Sequence, residues 1–121
     1  MKTVSIIVPV YFNAEALPIL FDRLQKIESR LAVMDMTMEL IFVDDGSTDN
    51  SLNELLIIKK SRPATKVIKL TRNFGAVHAS KCGMQFVSGD CFLVLAADLQ
   101  DPPELIIEMV EKWLAGSKFT I

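Results

Sequence analysis

The sequence predicts an α/β fold, an open α/β/α sandwich on a mainly parallel sheet, and three observations carry that reading. Apolar, β-rich runs alternate four times with stretches whose apolar residues recur at helical spacing. The runs 4–10 and 91–95 are largely continuous in apolar residues, as expected of strands covered by helices on both faces of a parallel sheet. Polar and acidic residues gather directly after the strand-like runs, where a doubly wound sheet binds its ligands.

Taken in order, residues 4–10 form the first strand. Residues 14–31 carry Leu17, Leu20, Leu24, Ile27 and Leu31 at helical spacing. A second strand over 39–43 leads to a helix over 48–60, with Leu52, Leu55 and Leu56 on one face. The third strand spans 66–70, and a less sharply amphipathic helix over 75–87 is broken by Gly89-Asp90. The fourth strand covers 91–97. The fourth helix, over 103–115, has Leu105, Ile106, Met109, Val110 and Trp113 as its stripe. Pro102-Pro103 pre-sets its first turn and Gly116 stops it. Repeated βα units with right-handed crossovers build the sandwich, and the expected strand order places the first strand beside the fourth. No linker, repeat or low-complexity segment divides the chain, so residues 1–121 read as one domain. Lys118-Phe119-Thr120-Ile121 reads as a fifth strand cut off as it begins. The expectation is a domain truncated after its fourth helix, the front part of something longer.

Bulk properties narrow the class. A chain of 121 residues can bury one core, and half of its residues are hydrophobic. The net charge of −2 and the isoelectric point near 5.3 point away from nucleic acid. Met1-Lys2-Thr3 leads straight into a strand with no signal peptide, and no apolar stretch approaches the ~18 residues of a membrane span. Cys82 and Cys91 make neither a disulfide framework nor a zinc set; they read as buried thiols of a reducing, cytoplasmic compartment. The six methionines read as core filler.

The candidate site lies in the loops after the strands. Tyr11 and Asn13 follow the first, Asp44 and Asp45 the second, Arg72 and Asn73 the third, and Asp98, Gln100 and Asp101 the fourth. Carboxylates at strand ends suit a hard cation, Mg²⁺ or Mn²⁺, which binds through one or two carboxylates plus phosphate oxygens. Such a metal neutralises charge growing on a departing diphosphate. Asp44 or Asp45 can accept a hydrogen bond from a base N–H, and Tyr11 can stack on the ring. Neither a Gly-x-Gly-x-x-Gly nor a Gly-Lys-Ser/Thr loop is present, which disfavours dinucleotide binding and P-loop hydrolysis. Plainer accounts compete. Asp44-Asp45-Gly46-Ser47 also reads as a turn with Ser47 or Thr48 capping the next helix, and Asp101-Pro102-Pro103-Glu104 as a bare helix start. Tyr11 also reads as a packing residue, and His78 as a surface or packing residue rather than a base.

Four motifs together resemble the family 2 inverting glycosyltransferases: 4–11 (VSIIVPVY), 43–49 (VDDGSTD), 72–75 (RNFG) and 97–104 (ADLQDPPE). The resemblance runs from Val4 to about Trp113 and is nearest the dolichol-phosphate mannose synthase and polyprenyl-phosphate sugar transferase group. It implies a GT-A-type, Rossmann-like fold, a nucleotide-sugar donor and Mg²⁺ or Mn²⁺. It also implies a lipid-phosphate or glycan acceptor, with any membrane association only through parts outside this chain. Separately, the unfinished fifth strand is expected to leave a sheet edge open, so the chain is expected to form a homodimer or aggregate. Pro9 and Tyr11 match donor-binding positions, and the pair Asp44-Asp45 matches the segment that reads the base. Asp98 matches the second aspartate of the Asp-x-Asp metal motif, with Gln100 after it as in the lipid-phosphate group. Asn13, Arg72 and Ala97 complete the implied donor set. Two departures stand out. Ala96 replaces the first aspartate of the metal motif, weakening metal binding without removing it, and Asn13 stands where the lipid-phosphate enzymes commonly carry Glu. The family's acceptor site and general base lie beyond the fifth strand, so no catalytic base is named.

Three rival readings compete. A receiver-type signalling domain needs an acidic pair after the first strand, where this chain has Pro9-Val10-Tyr11. A sugar-nucleotide pyrophosphorylase needs a glycine- and arginine-rich loop there. A truncated nucleotide-sugar-binding module that transfers nothing shares every motif with the enzyme.

Overall fold

The computed structural model describes residues 2–100 and 102–116. Strands β1 (Lys2–Val10), β2 (Met36–Asp44), β3 (Lys66–Lys69) and β4 (Cys91–Val94) form one parallel sheet in the order β3-β2-β1-β4. Helices α1 (Leu17–Val33), α2 (Ser51–Ser61), α3 (Ala76–Met84) and α4 (Leu105–Leu114) alternate with them. The first strand does lie beside the fourth. Register sets the strand ends in a row, with Val10 opposite Asp44 and Asp44 opposite Lys69, so every connecting loop that follows a strand leaves from one edge.

Alternate side chains of the strands feed two cores. Val4, Ile6, Val8 and Val10 of β1 join Leu40 and Phe42 of β2 against the buried stripes of α1 and α4 and Leu55 and Ile58 of α2. Ile7, Ile41 and Val43 point the other way, where α3 packs through Ala79. Each fully buried Leu or Ile contributes roughly 1.5–3 kcal/mol over an exposed one. α3 comes so close to the sheet that a Cβ on Gly83 would lie 2.6 Å from Ile7 Cγ2. A side chain there would push the helix off the strands.

The elements fall where the sequence places them, with shifted ends and two corrected stripes. α2 starts at Ser51 rather than Thr48, and neither Ser47 nor Thr48 caps it; Asn50 holds the N-cap position without a side-chain bond. Its buried face uses Ile58, while Leu56 is exposed. In α4, Ile107 is buried and Leu105 is exposed. In both cases neighbouring apolar residues offered two stripes, and contact with the sheet chose between them. β4 ends at Val94, although Leu95 N–H still donates to Ile7 O at 2.9 Å. The expectations placed on Asp101 and on residues 118–121 lie outside the described residues.

At the sheet's opposite edge a polar cluster fastens β1, β2, β3 and the loop before β4. Glu39 accepts from the Ser5 hydroxyl, the Ser88 N–H and the Ser88 hydroxyl at 2.6–2.9 Å, and pairs with Lys66 at 2.9 Å. Burial pushes the Glu39 carboxyl up, but these hydrogen bonds outweigh it and bring it down to about 2. Arg62 forks onto Glu28 and also donates to Met38 O, tying α2 to α1 and β2. Arg23 pairs with Glu104 across α1 and the start of α4. Both cysteines are free; Cys91 is buried, and burial followed by the Asp90 charge pushes its thiol up to about 11. Among the described residues no helix is long and apolar enough to cross a membrane.

Candidate functional site

Four loops meet at the carboxyl edge of the sheet, and the second of them organises its neighbours. Asp44 and Asp45 leave β2 in opposite directions. Asp44 is buried; its Oδ1 accepts from Ser47 N–H at 3.2 Å, and its Oδ2 is the one buried side-chain oxygen or nitrogen without a partner among the described residues. Asp45 is buried too, and its oxygens accept from Phe74 N–H at 2.8 Å, Gly75 N–H at 3.0 Å and Asn73 Nδ2 at 3.0 Å. A carboxylate at the head of α3 also complements that helix's dipole. Gly46, at φ 78°, lets the two loops touch, since a Cβ there would lie 2.4 Å from the Arg72 carbonyl carbon.

The same loop fastens the one after β1. Phe12 N–H donates to Ser47 Oγ at 3.1 Å, Asn13 N–H to Ser51 Oγ at 3.0 Å and Ala14 N–H to Asp49 Oδ2 at 3.4 Å, while Tyr11 N–H is taken by Asn13 Oδ1 at 2.8 Å. Burial raises the Asp49 carboxyl, but bonds from Ser51 and Ala14 outweigh it and hold it below the usual carboxylate range. These bonds fasten the loop ahead of α1, which begins at Leu17.

These contacts shape a cleft of about 260 Å³. Of the sequence-derived candidates, Pro9, Tyr11, Asn13, Asp45, Ala97 and Asp98 line it. Asp45 and Asp98, taken from loops after different strands, thus share one cleft. Asp44, Arg72 and Gln100 do not line it. Asp44 lies beneath the loops, the Arg72 guanidinium sits 4.8 Å over the Phe74 ring, and Gln100 N–H donates to Asp98 Oδ1 at 3.1 Å. Asn73, which the sequence places with Arg72 in the loop after the third strand, lines the cleft, and so does Ala76, which sequence reasoning missed. His78 is exposed and stacks on Phe74, consistent with a surface role.

Asp98 differs from the other acids. It is exposed, and only Oδ1 is engaged, by the local Gln100 bond. Leu99 behind it is left-handed at φ 65°, and so is Phe12 beside Tyr11 at φ 54°. Non-glycine residues in this region are uncommon and cost of order 1 kcal/mol or more, so the packing around both loops must hold them there. Asp98 and Asn13 also border a second, wider cleft of about 870 Å³ that runs toward the starts of α1 and α2.

The chain belongs to glycosyl transferase family 2, whose family model matches residues 5–121. It is similar to the uncharacterized glycosyltransferase YkcC of Bacillus subtilis, 44% identical over 115 residues covering 93% of this chain and 34% of that protein. It is also similar to the undecaprenyl-phosphate 4-deoxy-4-formamido-L-arabinose transferase of Yersinia enterocolitica, 43% identical over 112 residues, 91% of this chain and 33% of that one. The chain thus spans about a third of the length of the curated relatives it matches. Among solved structures, it superposes on S. aureus TarS 1–349 in complex with UDP-GlcNAc with a TM-score of 0.60 at 28% identity, covering 91% of this chain and 32% of that one. The mannosyltransferase PcManGT of Pyrobaculum calidifontis shares the fold with a TM-score of 0.69 at 22% identity, covering 93% of this chain and 32% of that one. The fold is the expected GT-A type.

A divalent cation fits this cleft only in a particular way. No cluster of three or more His, Cys, Asp or Glu that could hold a metal occurs among the described residues, and Asp45 is already committed to the protein. Asp98 has one oxygen to offer, beside Ala96. The donor set suits an ion carried in by a diphosphate and gripped by one carboxylate, the usual habit of Mg²⁺.

Proposed function

We propose that the chain binds the nucleotide-diphosphate sugar of a family 2 glycosyltransferase and that the reaction transfers the sugar to a polyprenyl phosphate. The observation that carries the donor-binding half is the state of Asp98, an exposed carboxylate with an oxygen unused by the described residues, on the rim of a cleft whose other acid is consumed. In this reading Asp98 holds Mg²⁺ or Mn²⁺ against the diphosphate. When bound, the metal supplies Lewis-acid neutralisation of the leaving diphosphate.

The remaining roles follow from placement. Tyr11, exposed at the cleft mouth and edge-on to Phe12 at 4.4 Å, offers a ring face for the base. Pro9, Asn13 and Ala97 form the wall against which the nucleotide rests. Asp45 acts as a positioning residue: it holds Asn73 and the start of α3 in place rather than touching the donor. Arg72 and Gln100 reach the donor in this reading only by moving from their present contacts, so their contribution is the smallest. Support for a nucleotide-sugar donor comes from the UDP-GlcNAc bound in TarS, and for Mn²⁺ from PcManGT, described in complex with GDP-Man and Mn²⁺. The polyprenyl-phosphate acceptor draws on the name of the Yersinia relative. A phosphate acceptor is already ionised at neutral pH and needs no general base. The unpaired cysteines favour a cytoplasmic location for the donor site.

Calorimetric titration with UDP- and GDP-sugars, with and without Mn²⁺, tests the donor reading. Metal-dependent binding that disappears in Asp98→Asn supports it; equal affinity in both proteins overturns it. A transfer assay with a polyprenyl phosphate then separates an enzyme from a binding module.

A further inference from the structure

The balance of −2 hides a partition of charge. Residues 55–89 carry seven Lys or Arg and no Asp or Glu, whereas the rest of the chain carries six Lys or Arg and fifteen Asp or Glu. Arg62 and Lys66 spend their charge on Glu28 and Glu39. Arg72 and Lys81 are exposed and form no ion pair among the described residues.

The same segment contains α3, the only helix among the described residues on its face of the sheet. Ala79 and Gly83 point inward, so Val77, His78, Lys81 and Met84 point outward at helical spacing. Val77 is 73% exposed, Met84 45% and Phe74 40%. At the head of the helix the Arg72 guanidinium, the Phe74 ring and the His78 ring form one stack, with separations of 4.8 and 4.9 Å. The face therefore interleaves exposed apolar and basic side chains and holds no acid.

We propose that the outer face of α3, with the Arg72–Phe74–His78 stack at its head, docks on the surface of an anionic lipid bilayer. Apolar side chains that would be costly in water enter the boundary between headgroups and acyl chains, while Arg72 and Lys81 meet the anionic headgroups. A nucleic acid fits less well, because Val77 and Met84 neither stack on bases nor hydrogen-bond to them. Asn73 and Ala76, in the same segment, line the cleft, so docking brings the cleft mouth to the membrane surface, where a lipid-phosphate acceptor resides. The proposal goes beyond the donor-binding reading and does not depend on it, since lipid binding needs no nucleotide.

Co-sedimentation with vesicles tests it, using phosphatidylcholine alone and an equal mixture with phosphatidylglycerol. The chain is expected to bind the mixed vesicles, less so as salt rises, and to ignore the neutral ones. Lys81→Glu and Val77→Glu should each weaken binding roughly fivefold or more, whereas Lys112→Glu, the same charge change on α4, should leave it unchanged. Unaltered melting temperatures show that the variants fold. Equal binding to neutral vesicles, or binding indifferent to Lys81→Glu, overturns the proposal. So does self-association without lipid that Lys81→Glu abolishes while vesicles are ignored, which would assign the face to a second copy. Tighter binding to single-stranded RNA than to mixed vesicles would assign it to nucleic acid.

Discussion

Asp45 and Asp98 follow β2 and β4, the two strands that flank β1 in one sheet; they line one cleft and carry the same functional group, yet they sit in different chemical states. Asp45 is buried, with three N–H donors converging on its two oxygens. Asp98 is exposed, with a single local donor. Three N–H donors use most of the acceptor capacity of the Asp45 carboxylate, whereas Asp98 keeps most of its own. In the reading proposed above, the acid-rich motif 44–49 builds the cleft and the loop after β4 equips it. The Asp98 loop also borders the second cleft, placing its carboxylate at the junction of the two cavities. Position at a strand end makes a carboxylate a candidate. Its hydrogen-bond partners decide its role.

Breaking Asp98 should have the largest effect on binding and almost none on folding. Asp98→Asn is expected to lower metal-dependent nucleotide affinity at least about a hundredfold, with stability within ~0.5 kcal/mol of the parent, as for a surface substitution. Titration and thermal melting read the two quantities separately. Asp45→Ala should do the reverse first: three donors lose their acceptor, and urea unfolding should show a loss of about 2–3 kcal/mol. Asp45→Asn keeps the shape and two of the acceptor lone-pair directions, so it should recover part of that loss. If Asp45→Ala unfolds normally yet abolishes binding, Asp45 is a direct ligand and the contrast fails.

Glu39 extends the contrast to the far edge of the sheet, where a carboxylate that lines neither of the two clefts is engaged. Its folded-state value of about 2 lies below the ordinary 4.5, so its stabilisation is complete above pH 4.5 and is lost as pH falls toward 2. Glu39→Gln should cost about 1–3 kcal/mol at neutral pH and flatten the acid limb of the stability curve between those limits. An unchanged acid limb would show that the cluster stores no such energy. A smaller gain is expected at the cleft: Ala96→Asp adds a second carboxylate beside Asp98 and should tighten Mn²⁺ binding in the presence of nucleotide by roughly tenfold. Least of all, Ser47→Ala removes one acceptor from the Phe12 N–H and should cost about 1 kcal/mol, measured by urea unfolding.

Local information carried the fold a long way. The apolar runs of β1 and β4, the stripe of α1 and the Gly89-Asp90 break are properties of a few adjacent residues, and each element formed close to its expected place. The placement of Tyr11 and Asp98 at strand ends, and of the first strand beside the fourth, follows from the same periodicity joined to the rules of parallel βα units. Where two apolar stripes competed, as at Leu56 against Ile58 or Leu105 against Ile107, local spacing was silent because both choices satisfy a 3.6-residue period. The division of labour among the acids was equally out of reach. Asp45 meets Asn73, Phe74 and Gly75 from 28 to 30 positions away, and Ser47 meets Phe12 across 35. A hydrogen bond depends on distance in space, and only the packed sheet sets that distance. The sequence by itself determined the layers, the strand-end loops and the presence of Asp98 in one of them. Tertiary structure decided which carboxylate is buried among backbone donors, which one stays exposed, and that α3, alone on its side of the sheet among the described residues, turns basic and apolar side chains outward.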